Sequence, residues 1–200
     1  MPSRPFRTPL LMVLAAATLS ACVSFGGKPP PFLLTLDADA APAAGTPRTS
    51  AEAEALTILI PTAPQKLRTT RIPVQQDGAS VTYVKDAQWV EAPQRLFQRL
   101  VSETIGARTT RVILDEGQYL TAPGEQLAGQ LMEFGVDARS NEAVVVYQAM
   151  LVSAGGKSVT QRRFEAREAI GGKVEAKPAG EALTRAANKV AGEVAEWLGK

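Results

Sequence analysis

The sequence predicts an α+β fold, a mostly antiparallel sheet with two amphipathic helices packed on one face. Three observations lead there. Apolar runs of strand length outnumber helical stripes, and most successive runs are separated only by short turn-forming segments. The two helical stripes, near residues 93–106 and 178–197, lie far apart in the chain. No internal repeat is visible.

The chain opens with Arg4 and Arg7, an apolar run from Leu10 to Leu19, and then Ser20-Ala21-Cys22. A basic start, a short apolar core and small residues before a cut read as a secretory signal over residues 1–21. Arg4 and Arg7 are not adjacent, so a twin-arginine signal is not supported. Cys22 is the only cysteine and stands where the mature chain would begin. The order Leu19-Ser20-Ala21-Cys22 resembles the lipobox of bacterial lipoproteins, which implies a diacylglycerol and an N-acyl lipid on Cys22. One acyl chain binds a membrane reversibly, at about 0.8 kcal/mol per buried CH₂, whereas several give stable attachment. Val23 stands where an aspartate commonly signals inner-membrane retention, so the resemblance implies the outer membrane.

Residues 22–31, rich in Gly and Pro, form a tether without a core of its own. A single domain is expected over 32–200. Phe32-Leu33-Leu34-Thr35-Leu36 fits an opening strand or the end of the tether. Residues 37–55, dominated by Ala and Pro, read as a mobile loop. Leu56-Thr57-Ile58-Leu59-Ile60, closed by Pro61, is a strand. Arg71-Ile72-Pro73-Val74 extends, although Pro73 lacks the donor a central strand needs. Gly78 marks a turn before the strand Val81-Thr82-Tyr83-Val84. Pro93 suits a first helical residue, and Leu96, Phe97, Leu100, Val101 and Thr104 make the buried stripe. Gly106 reads as the residue that ends this helix. Arg111-Val112-Ile113-Leu114 is a strand stopped by Asp115-Glu116-Gly117.

The second half is more regular. Residues 125–137 alternate, with Ala128, Met132, Phe134 and Val136 on one side. Residues 143–153 are the most apolar strand, Ala154-Gly155-Gly156-Lys157 a hairpin turn, and 158–169 a charged returning strand. Arg163, Glu165 and Arg167 share one side of it, as on a solvated face or a protected edge. Pro178 opens the last helix, with Glu181 in its first turn facing the helix dipole. Leu183, Ala187, Val190, Val194 and Trp197 form one packing stripe.

Composition narrows function. Removing 1–21 takes two basic residues and no acidic ones, so the remaining 179 residues carry 20 of each. That balance argues against nucleic-acid binding and against adhesion to anionic lipid through a basic patch. No histidine is present, which removes the commonest general base and metal ligand. With Cys22 acylated, no thiolate remains for zinc or nucleophilic catalysis. Beyond the leader no run approaches the roughly 20 apolar residues that span a bilayer.

Gly155-Gly156-Lys157-Ser158 resembles the end of a phosphate-binding loop, but Leu151 holds the first glycine position and a strand follows rather than a helix. Asp37, Asp39, Asp115, Glu116, Glu133 and Asp137 form no pair that sequence singles out for acid–base work. Neither a catalytic nor a metal site is expected, and the chain reads as no enzyme. The strand 143–153 is apolar on both sides: Val144, Val146, Met150 and Val152 on one, Val145, Tyr147 and Leu151 on the other. Helices cover one side. The second lies either under the N-terminal loop or against a protein or lipid, which makes Tyr147 a candidate interface residue.

Arg71-Ile72-Pro73-Val74, Val81-Thr82-Tyr83-Val84 and Gln88-Trp89-Val90-Glu91-Ala92-Pro93, in that order before Leu96 and Leu100, resemble the ABC-type transport auxiliary lipoproteins, the group including the paraquat-inducible protein C type. Phe32-Leu33-Leu34 departs from the Tyr-x-Leu common there, and Val90 replaces a small residue after Trp89. The resemblance implies a non-enzymatic outer-membrane lipoprotein facing the periplasm. Its implied partners are an MCE-domain substrate-binding protein and the permease and ATPase of an inner-membrane ABC transporter in lipid transport. Trp89 is then either a core residue at the helix entry or a partner-docking ring. A homo-oligomer stays open. So do two other readings, a periplasmic carrier of a lipid or small ligand and a structural envelope lipoprotein.

Overall fold

The computed structural model describes residues 30–45, 47–49, 55–114 and 124–199. The leader, Cys22, most of the tether and the turn at 115–117 lie outside the described residues. Among the described residues seven strands form one sheet: β1 (Leu56–Ile58), β2 (Arg71–Gln75), β3 (Val81–Gln88), β4 (Ile113–Leu114), β5 (Glu125–Asp137), β6 (Glu142–Val152) and β7 (Val159–Ala169). Two helices, α1 (Pro93–Arg108) and α2 (Ala176–Leu198), lie on one face.

The long strand β5 is the axis. Along one side it pairs antiparallel with β6, which pairs antiparallel with β7. Its other side is shared end to end: β1 pairs parallel at Glu125 to Leu127, Thr62 bridges to Gln130, and β2 pairs parallel at Val136 and Asp137. Residues 56–75 thus follow β5 as one interrupted strand, with a 3₁₀ turn at Gln65–Leu67 as the interruption. β4 joins β1 in parallel and β3 joins β2 in antiparallel fashion. The sheet is therefore mixed, more so than the short turns suggest. The parallel pairings join strands separated by long stretches of chain, each of which includes α1; hairpins alone would give antiparallel neighbours.

Local chemistry explains the irregularities. Pro73 sits where the β2–β3 register slips, so its missing donor is not needed there. Across from it, a Cβ on Gly135 would lie 2.5 Å from the Pro73 carbonyl oxygen; glycine is what lets β2 approach β5. β5 carries a bulge between Leu131 and Glu133. The extra residue changes which side chains face inward: Leu127, Leu131, Phe134 and Val136 enter the core, while Ala128 and Met132 do not. This corrects the uniform alternation expected from the sequence.

Helix α1 begins at Pro93, as expected, but runs past Gly106 to Arg108. It ends where the Thr109 N–H and hydroxyl both donate to the Ile105 carbonyl. Gly106 is a packing residue instead: a Cβ there would lie 3.1 Å from Pro42 Cγ. Helix α2 begins two residues before Pro178, so Glu181 falls beyond the first turn and faces Lys177 at 4.0 Å. Its buried face is built of small residues, Ala179, Ala182, Ala186, Ala187, Ala191 and Ala195, with Leu183, Val190 and Val194 between them. Small side chains let the helix sit close to β6 and β7, and Lys189 and Arg185 tie its flank to Glu168 on β7.

Candidate functional site

The first region of interest is where the chain enters the fold. Leu34 forms a one-residue parallel bridge to Trp89: the Leu34 N–H donates to the Gln88 carbonyl at 2.8 Å and the Val90 N–H to the Leu34 carbonyl at 2.9 Å. Leu36 is buried in the core. Beyond this bridge the described part of residues 37–49 has no regular helix or strand, yet side chains fasten it to both helices. Asn188 on α2 accepts from the Asp39 N–H at 2.8 Å and donates to the Asp37 carbonyl at 2.9 Å. Pro42 leans on Gly106 of α1, and the Arg48 guanidinium donates to the Thr109 carbonyl at 3.0 Å.

Helix geometry organises this entry. Gly180, Thr184, Asn188 and Gly192 follow one another at spacings of four, a single ridge beside the apolar stripe of α2. Gly180 receives the Leu34 side chain, where a Cβ would lie 2.8 Å from Leu34 Cδ2; Asn188 holds Asp37 and Asp39; Gly192 receives the Arg108 guanidinium. Asn188, buried yet fully bonded, is the residue that sequence reasoning missed. Its signal was the four-residue row of small and polar residues. A groove of about 580 Å³ lies between the incoming strand and α2, lined by Phe32, Leu33, Leu34, Gly180, Thr184 and Arg185 among others.

The two rings singled out in the sequence are core residues. Trp89 is 1% exposed and meets Phe134 edge-on, ring centres 5.6 Å apart; its Nε1 has no hydrogen-bond partner among the described residues. Tyr147 is 2% exposed, packs edge-on against Phe97 at 5.1 Å, and donates its hydroxyl to the Ala128 carbonyl at 2.9 Å. Burial pushes its phenol well above the usual tyrosine range. Neither ring reaches the surface, so the docking role is withdrawn for both. The side of β6 that bears Tyr147 is the one under the helices.

On the opposite side of β6, Val144 and Val146 are buried as well, although the N-terminal segment lies over the helices and not there. Their neighbours across the sheet are Glu133 and Gly135 on β5 and Glu165 and Arg167 on β7. Long charged side chains roof the valines. Lys66 pairs with Glu133 at 2.6 Å, and Arg167 reaches Glu142, Asp137 and Glu165 at 3.1–3.6 Å. Their aliphatic stems cover apolar surface while the heads stay in water. A groove of about 360 Å³ runs through this network between Lys66, Gln75, Asp77, Asp137, Arg139 and Arg167. The Arg139 N–H, bonded to Asp137, holds that carboxyl below the usual range, with Arg139 and Arg167 adding to the effect. Among the described residues no group of three metal-ligating side chains comes together. Gly155 and Gly156 both take positive φ in the turn between β6 and β7, so the glycine pair serves a hairpin. Cys22 lies outside the described residues.

No helix among the described residues is long and apolar enough to cross a membrane. No curated protein sequence matches the chain. In structure it is similar to a Xanthomonas campestris protein of domain family DUF330, 16% identical with a TM-score of 0.71, over 84% of this chain and 94% of that one. It is also similar to the crystal structure of an uncharacterised protein, 10% identical with a TM-score of 0.63, over 76% and 95% of the two chains. At these identities the likeness is one of fold. A family model described as the ABC-type transport auxiliary lipoprotein component matches residues 34–196, from the Leu34 bridge to the last turns of α2. The chain belongs to that family of auxiliary lipoproteins of ABC-type transport.

Proposed function

We propose that this auxiliary lipoprotein is a non-enzymatic docking component, anchored in the outer membrane by a diacylglycerol and an N-acyl lipid on Cys22 and facing the periplasm. Its partners in this reading are an MCE-domain substrate-binding protein and the permease and ATPase of an inner-membrane ABC transporter that moves lipid. The observation that carries it is the entry of the chain at Leu34. Because the bridge to Trp89 and the buried Leu36 seat the chain there, only the nine residues from Val23 to Pro31 separate Cys22 from Phe32. At 3.3–3.6 Å per residue they reach about 30 Å at most. A domain on so short a lead stays beside its membrane, where a docking part is useful and a shuttling carrier is not.

Packing supports docking over carriage. The space between α2 and the sheet is filled by close-set alanines and valines, all buried, and the grooves of about 360 and 580 Å³ are bordered by charged residues, Lys66, Asp137 and Arg167 in one and Lys177, Glu181 and Arg185 in the other. A carrier that encloses a lipid needs an apolar chamber of its own. The balanced ion pairs over Val144 and Val146 suit a polar, water-facing contact with a protein. Affinity purification of the intact lipoprotein from membranes in mild detergent tests the reading. Recovery of MCE and ABC subunits is expected, and their absence under conditions that retain other envelope complexes contradicts it.

A further inference from the structure

Five large apolar side chains are exposed among the described residues, and three of them gather at one place: Phe32 (46% exposed), Leu33 (51%) and Val90 (40%). The bridge between Leu34 and Trp89 places them near one another. Leu34 and Trp89 turn inward, so Leu33, just before the bridge, and Val90, just after it, turn outward and lie diagonal to each other across the parallel pair. Phe32 precedes them at the mouth of the groove along α2, beside Lys177 and Arg185. Exposed apolar side chains scattered singly need no explanation, but a cluster marks a contact.

We infer that Phe32, Leu33 and Val90 form a membrane-contact patch that lies against the lipid surface holding the anchor and fixes the orientation of the domain. This inference rests on acylation of Cys22. The occupant follows from the length of chain outside the structure and from where it ends. The patch sits where the lead from Cys22 meets the fold, within its reach of about 30 Å, so it is the part of the domain held at the highest local concentration of bilayer. Its chemistry agrees: an aromatic and two aliphatic side chains beside Lys177 and Arg185, with Asp37 and Glu181 balancing them in the same groove. Such a mixture suits shallow insertion among zwitterionic headgroups and does not depend on anionic lipid. With the patch down, β7, at the opposite edge of the sheet, is left to the periplasm.

Acylation of Cys22 leaves the chain without another cysteine, so a single label can be placed at will. The mature lipoprotein carrying Val90→Cys, labelled with an environment-sensitive fluorophore, is reconstituted into vesicles of phosphatidylethanolamine and phosphatidylglycerol containing brominated acyl chains. Strong quenching is expected for this label and none for the same label at Val159→Cys, an exposed site on β7. Adding Phe32→Ser and Leu33→Ser to the Val90→Cys chain should return its quenching to the Val159 level while circular dichroism stays unchanged. Equal quenching at both sites, or quenching that survives the two serines, overturns the patch while leaving anchorage intact. An intact mass without acyl groups on Cys22 overturns anchorage and the patch together.

Discussion

Replacing Asn188 by alanine removes the side chain that fastens the entering segment to α2. In the native fold it accepts from the Asp39 N–H and donates to the Asp37 and Thr184 carbonyls, at 2.8, 2.9 and 3.0 Å. Asn188 itself is buried. The Thr184 carbonyl belongs to the interior of α2 and keeps its helical partner, so the loss falls on Asp37 and Asp39. A net hydrogen bond is worth about 1 kcal/mol, more when a partner is left unsatisfied; two of them put the cost of Asn188→Ala at about 2 kcal/mol. The segment cannot escape that cost cheaply by lifting off, because detaching it would expose Leu36, and burial of a leucine is worth about 2 kcal/mol by itself.

Urea unfolding reads the total. With a slope of about 2 kcal/mol per molar, the midpoint of Asn188→Ala should fall by about 1 M. Amide exchange reads the location, since the Asp39 amide should exchange roughly 30-fold faster relative to α2 amides, the equivalent of about 2 kcal/mol of local opening. A variant within about 0.5 kcal/mol of the native chain, with Asp39 exchange unchanged, would refute the claim that the entry segment is part of the fold. The lead to Cys22 would then be longer than nine residues.

Tyr147→Phe keeps the ring against Phe97 and loses only the hydroxyl bond to Ala128; calorimetry should show a loss of about 1 kcal/mol, whereas Tyr147→Asp should fail to fold, and a stable Tyr147→Asp chain would speak against burial of this side. Two glycines give opposite outcomes under thermal melting. A Cβ on Gly129 would sit 2.3 Å from the Gln148 carbonyl oxygen, so Gly129→Ala should cost about 3 kcal/mol, but at Gly192 the obstruction is only the movable tip of Arg108, so Gly192→Ala should be neutral or gain up to about 1 kcal/mol of helix propensity. Glu168 is bonded to Lys189, with Arg185 adding its charge, and its folded pKa is depressed. A depressed carboxylate stabilises the fold above its unfolded value, about 4.3, and that contribution disappears as pH falls through the folded value. The urea midpoint of the native chain should therefore drop on acidification below about pH 5, and Glu168→Gln, lower at neutral pH, should converge on it in acid.

The order of strands and helices was legible because periodicity records burial, and β5 to β7 with α2 carry long, unbroken patterns. What was not legible depends on partners distant in sequence. The bulge at Leu131 to Glu133 leaves no local signal, so Met132 reads as a core residue until its pairing with β6 is seen. Gly106 has the chemistry of a helix end, and only the approach of Pro42 reveals it as a packing position. Pro73 reads as a strand breaker, yet Gly135, 62 positions later, makes room for it. Trp89 and Tyr147 stand out as large rings in apolar runs, a pattern that core and interface share. The ridge of Gly180, Thr184, Asn188 and Gly192 was visible as a spacing but had no meaning without the segment it holds. The proposed lipidation site is the reverse case: Cys22 is read from sequence alone, since it lies outside the described residues.

The central claim, a closed domain whose lipid is attached at Cys22 and not carried inside, is tested most directly by native mass spectrometry of the protein purified from membranes. The account predicts a chain beginning at Cys22 that carries a diacylglycerol and an amide-linked acyl group, with no further lipid bound once detergent is released. An unmodified cysteine, or one lipid retained noncovalently per chain, would contradict it.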